Sequence, residues 1–171
     1  MPYLFRSINK RRWDWGAGDP SWLPPGAVPA APLGDLAPTP SSALSLWWIA
    51  DDKSNVGRVV AALAAGRQHL DKYDYALIEE GAVRGLGIKV ESAPETCPDQ
   101  DASNRWHHNL LELTADKIFA LVGLIKSTSE LDRLLAPDVE RLLKEGLESG
   151  FLDESKVHSK LRERLQPPKK E

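Results

Sequence analysis

Eight of the 13 prolines lie within the first 40 residues: Pro2, Pro20, Pro24, Pro25, Pro29, Pro32, Pro38 and Pro40. Each removes a backbone donor and restricts the residue before it, so no long helix can run through this stretch. The same stretch holds Trp13, Trp15 and Trp22, three of the six tryptophans. A disordered linker is poor in aromatic residues. Together the two features predict an ordered, extended arm whose tryptophans are pinned to the body of the domain or await a partner. At its start, Tyr3 to Ile8 sets Leu4, Arg6 and Ile8 against Tyr3, Phe5 and Ser7, the alternation of a strand.

The remainder divides into a mixed body over 41–113, a helical region over 114–165 and a fraying tail over 166–171. With 171 residues, 42% of them hydrophobic, the chain can bury one core without staples and is expected to form a single domain, 1–171. Leu44 to Ala50 has the aromatic and β-branched content of a strand. Asp51 to Ser54 follows as a turn, with Ser54 available to cap a helix over about 55–70 that carries Val56, Val59, Val60 and Leu63. Tyr73–Ile78 and Gly87–Glu91 are further strands, with Gly81, Gly85 and Gly87 punctuating a connection between them. Residues 93–104 form a polar loop, and Trp106–Leu113 a last strand.

Thr114 can cap a helix apolar around its circumference, from Ile118 to Ile125, which is therefore expected to be buried. Ser127 or Ser129 is expected to start a short helix with Leu131, Leu134 and Leu135. Pro137 suits the first turn of the next helix, and Gly150 its end. Asp153 is expected to cap a final helix with Val157, Leu161 and Leu165 at i, i+4, i+8 spacing. The fold class implied is α+β: a small mixed or antiparallel sheet with a packed helix, preceded by the arm and followed by a helical C-terminal subdomain.

Motifs with specific chemistry are scarce. Gly85-Leu86-Gly87 lies between strands and lacks the third glycine and helix of a dinucleotide fingerprint, and no glycine-rich loop ends in Lys-Ser or Lys-Thr. No Gly-X-Ser-X-Gly elbow occurs. Cys97 is the single cysteine, which excludes an internal disulfide. No zinc-ligand spacing is present, so neither a metal nor a cofactor is expected.

Four residues could nonetheless serve catalysis. Asp51 and Asp52 sit beyond the carboxyl end of a strand, where ligands gather in α/β layouts. His107 and His108 could supply an acid or base. Strand alternation, however, sends the two histidines to opposite faces. Arg11, Arg12 and Arg105 could hold phosphate. These residues define one expectation, a hydrolase or transferase acting on nucleic acid or a nucleotide.

The other expectation is a small cytoplasmic accessory or regulatory module that binds a partner chain or a second copy of itself. Its docking groups would be Trp13 and Trp15 in the arm and the stripe Val157, Leu161 and Leu165. The net charge of -3, with only four basic against three acidic residues in the first 40, disfavours a nucleic-acid partner. No apolar run approaches the length of a membrane span, and the amino-terminal basic residues follow rather than precede the apolar patch, unlike a secretory signal. A cytoplasmic location is expected.

Overall fold

The computed structural model describes residues 1–14, 24, 27–94, 97–99 and 101–165. Trp15 and Trp22 lie outside the described residues, as does the 166–171 tail expected to fray. Strands β1 (Tyr3–Ser7), β2 (Leu44–Ile49), β3 (Tyr73–Glu79), β4 (Lys89–Ser92), β5 (His107–Leu111) and β6 (Glu130–Leu134) form one sheet. Their spatial order is β4-β5-β2-β1-β3-β6, and every neighbouring pair is antiparallel. Helices are α1 (Ala30–Leu33), α2 (Val56–Ala65), α3 (Glu80–Gly85), α4 (Ala115–Thr128), α5 (Ala136–Glu148) and α6 (Ser159–Leu165). The fold is α+β, and the sheet is wholly antiparallel.

Both faces of the sheet are covered, which produces two apolar clusters. Phe5, Ile49, Tyr73, Tyr75 and Leu77 pack with α2, α5 and α6 on one face. Leu4, Leu44, Leu46, Ile78 and Leu110 pack with α4 and the arm on the other. This explains why β3 reads as a nearly continuous apolar run rather than an alternating one: from Tyr73 to Ile78 every residue is buried. β1, the first element of the chain, lies near the middle of the sheet, between β2 and β3.

The arm is ordered where it is described, and a buried carboxylate organises it. Asp35 accepts hydrogen bonds from the Asn9 backbone N–H (2.9 Å), Arg12 Nη1 (2.8 Å) and Trp13 Nε1 (2.8 Å). Trp13 is consequently buried, at 5% exposure. Arg6 adds a second tie, donating to the backbone oxygens of Asp35 and Ser45. The arm is not extended throughout. Pro32 stands third in the single-turn α1, within the first turn, where its missing N–H costs no intrahelical bond.

Several sequence expectations are corrected. Residues 130–134 form edge strand β6 rather than a helix, paired with β3 from Tyr73↔Leu134 to Leu77↔Glu130. Leu131 and Leu134 thus serve a sheet edge, while Leu135 is exposed. The glycine-punctuated connection contains α3, ended by Gly87 at φ +68°. Asn55, not Ser54, occupies the N-cap position of α2, and its side chain bonds back to β2 at Ala50 N and Trp48 O. Asp153 caps a single 3-10 turn, Glu154–Lys156, ahead of α6. In α4 only one face is buried, through Leu121, Val122 and Ile125, and Phe119 stands 46% exposed.

Candidate functional site

The residues of the catalytic expectation each have a local role in the fold. Asp51 is exposed and receives the Met1 ammonium at 2.9 Å, which draws it toward β1. Asp52 accepts from Ser54 N–H at 3.0 Å, a turn role that holds its carboxyl below the ordinary carboxylate range. The histidines stand on β5, on the opposite flank of β2. They diverge as alternation requires: His107 is buried against Trp47 with ring centroids 5.2 Å apart, whereas His108 pairs with Leu46 and turns to the other face. His107 Nδ1 is also hydrogen-bonded to the Ala93 carbonyl. Among the described residues no cluster of three His, Cys, Asp or Glu side chains is placed to hold a metal ion.

The three arginines assigned to phosphate do not converge either. Arg12 is held by Asp35. Arg11 lines a small concavity with Arg67 and Lys72. Arg105 lines a different one with Trp48, Trp106 and His108.

The apolar docking groups are likewise occupied. Trp13 is buried against the domain, and Val157, Leu161 and Leu165 are only 3%, 1% and 9% exposed. Val157 lies in extended chain ahead of α6 rather than on the expected helix, and with Leu161 and Leu165 of α6 it packs into the α2–α5 side of the core instead of forming an open apolar stripe.

One open concavity among the described residues, of about 340 Å³, is lined by Trp48, Arg105, Trp106 and His108. Its construction follows from register. Trp47 is opposite His107, the last pair of the β2–β5 ladder, so Trp48 and Trp106 both lie just past its end. The adjacent pairs Trp47-Trp48 and His107-His108 therefore each send one ring to either face of the sheet, and Trp48 joins His108 on the α4 face. That signal was present in the sequence. Using it required knowing that the two strands are neighbours and in which register.

A buried ionic centre supports this patch from behind. Asp99, wholly buried, receives Arg58 through two bonds of 3.0 Å and also the backbone N–H groups of Asp101 and Ala102. It thereby anchors the π-type turn Ala102–Trp106 that presents Arg105 and Trp106. Such turns are often found at functional positions. The Arg58 guanidinium lies 5.0 Å from the Trp106 ring centroid and 4.7 Å from that of Phe151. Trp106 is thus held by stacking as well as by its backbone.

Within the patch, His108 Nδ1 lies 3.0 Å from the Trp106 carbonyl oxygen. A carbonyl can only accept, so Nδ1 carries the proton of this bond, which fixes the orientation of the ring. Arg105 has 77% side-chain exposure and, among the described residues, a long ion-pair contact of 3.7 Å to Asp101. Such a surface pair is weak and readily exchanged.

Comparison with protein-family models, curated proteins and solved structures returns no match for this chain.

Proposed function

We propose that the chain is an accessory interaction module, and that the Trp48–Arg105–Trp106–His108 patch is the face on which an acidic segment of a partner protein docks. The observation that carries the reading is two half-buried indoles sharing one concavity with a weakly paired guanidinium and an imidazole oriented by a backbone carbonyl. Tryptophan and arginine dominate interface hot spots because they combine large apolar contact with directed hydrogen bonds. The Arg105 guanidinium at the rim favours a carboxylate, and the pre-held Trp106 loses little freedom on binding. A regulatory role in the cytoplasm belongs to the same proposal.

The test is an array of immobilised peptides mixing Asp and Glu with apolar residues, probed with the full chain, with Trp48→Ala and with Arg105→Glu. The reading predicts retention of the wild type by acidic peptides and at least a tenfold loss in both variants, with circular dichroism unchanged. Equal retention of wild type and variants would overturn it, as would retention confined to basic peptides. Sedimentation of the wild type at several concentrations addresses the second copy as occupant: a dimer abolished by Trp48→Ala would replace the acidic partner with self-association.

A further inference from the structure

A second cationic concavity lies elsewhere on the molecule, between the turn after β1 and the connection from α2 to β3. It measures about 230 Å³, and Arg11, Arg67 and Lys72 line it together with Ile8, Asn9 and the carboxylates Asp71 and Asp74. Many basic side chains of this acidic protein carry a carboxylate of their own: Arg84 has Glu80, Arg133 has Asp74, Arg141 has Glu145 and Lys144 has Glu140. Among the described residues no ion pair of this kind joins Arg11, Arg67 or Lys72 to a carboxylate. Three cations left over by the surface pairing therefore face one small hollow.

The acids nearby do not cancel them. Asp74 borders the hollow, but it is taken by Arg133 through bonds of 2.5 and 3.0 Å and by the Lys10 backbone N–H at 3.0 Å. Asp71 contributes one exposed carboxylate, which accepts the Lys72 backbone N–H at 2.7 Å. Arg67 is held in place: its guanidinium carbon lies 4.0 Å from the Tyr73 ring centroid. Burial pushes the Tyr73 phenol up, so it stays neutral and cannot act as the counter-ion. Three cations against one free carboxylate leave an excess of positive charge with one guanidinium pre-oriented by stacking.

We propose that Arg11, Arg67 and Lys72 form a binding site for a phosphoryl dianion. Arginine presents a planar fork of donors matched to phosphate oxygens, and lysine adds a mobile point charge. The hollow is smaller than the roughly 300–1,000 Å³ of sites that enclose a drug-sized ligand. It fits a phosphoryl group and the first atoms esterified to it, and leaves a nucleoside outside. This site is independent of the aromatic patch and shares no lining residue with it.

Isothermal titration of the full chain with inorganic phosphate and with glycerol 3-phosphate, at ionic strength held constant with chloride, tests the site. The expected result is saturable binding that weakens at least tenfold in Arg67→Gln and in Arg11→Gln combined with Lys72→Gln. Lys160→Gln, a change at an exposed lysine on α6, leaves it unchanged. Tighter binding of glycerol 3-phosphate identifies an ester as the ligand, and tighter binding of inorganic phosphate identifies the free ion. No saturable heat beyond chloride, or equal binding by the wild type and the Arg11/Lys72 variant, overturns the proposal. Because Arg67 also covers Tyr73, thermal melting of each variant accompanies the titration. If Arg67→Gln melts early, the Arg11/Lys72 variant decides.

Discussion

Asp35 illustrates how one carboxylate can order a proline-rich segment that has little regular structure of its own. It receives a backbone N–H, a guanidinium and an indole N–H from within a short stretch that includes Trp13. Asp35→Ala removes the acceptor of all three bonds, the Trp13 one buried, and a stability loss of about 3 kcal/mol is expected in urea unfolding. Trp13→Phe removes one bond and part of the buried ring, and should cost less. Gly146 offers a second residue-scale test. A Cβ there would lie 2.6 Å from Leu152 Cδ1 and 2.9 Å from Phe151 Cζ. Gly146→Ala is expected to lower stability by about 1–2 kcal/mol, since overpacking outweighs the gain in helix propensity. Asp74 gives a pH dependence. Arg133 holds its carboxyl below the ordinary value of 3.8, so its contribution is full above that pH and is lost as pH falls through the lower folded-state value. Arg133→Gln should flatten this part of the acid-unfolding curve.

At the scale of elements, helices and strands with strong periodicity were legible, and those defined by their partners were not. The strands around Leu46 and Ile78 and the helix carrying Val59 and Val60 stand out from local pattern alone. β6 does not. Its Leu131 and Leu134 are three apart, a helical spacing, and only pairing with β3 makes Glu130–Leu134 a strand. α3 was hidden by Gly81 and Gly85, which read as breakers. The candidate site was legible only in its parts: Arg105 and His108 were singled out for phosphate and acid–base roles, whereas Trp48 and Trp106 join them only because the end of the β2–β5 ladder brings the segments together. Arg67 and Lys72 were missed because the hollow they line joins segments more than 50 positions apart. The Arg58–Asp99 pair is the element-scale test. Asp99→Ala leaves Arg58 a third exposed and still 3.1 Å from Asp101, so the loss comes mainly from the Asp101 and Ala102 N–H groups and is about 1–3 kcal/mol. Asp99→Ala should therefore destabilise the chain and speed hydrogen exchange over residues 97–106 before the rest of the fold.

The whole molecule is an antiparallel sheet with helices on both faces, and this arrangement decides which apolar groups are available. The α6 stripe looked free when considered as the last helix of a chain that already had a core. In the fold it closes that core, with His158 N donating to Ala65 O at 2.8 Å as a further tie to the end of α2. Among the described residues no helix is long and apolar enough to cross a membrane. The central claim is that Trp48 serves docking whereas the α6 stripe serves folding, and a paired measurement of stability and acidic-peptide binding on Trp48→Ala and Leu161→Ala tests it most directly. The account predicts that Trp48→Ala changes unfolding stability by no more than about 1 kcal/mol yet loses peptide binding, while Leu161→Ala costs about 2–5 kcal/mol and, where folded, binds as the wild type does. A Trp48→Ala protein that loses several kcal/mol yet keeps its binding would contradict it.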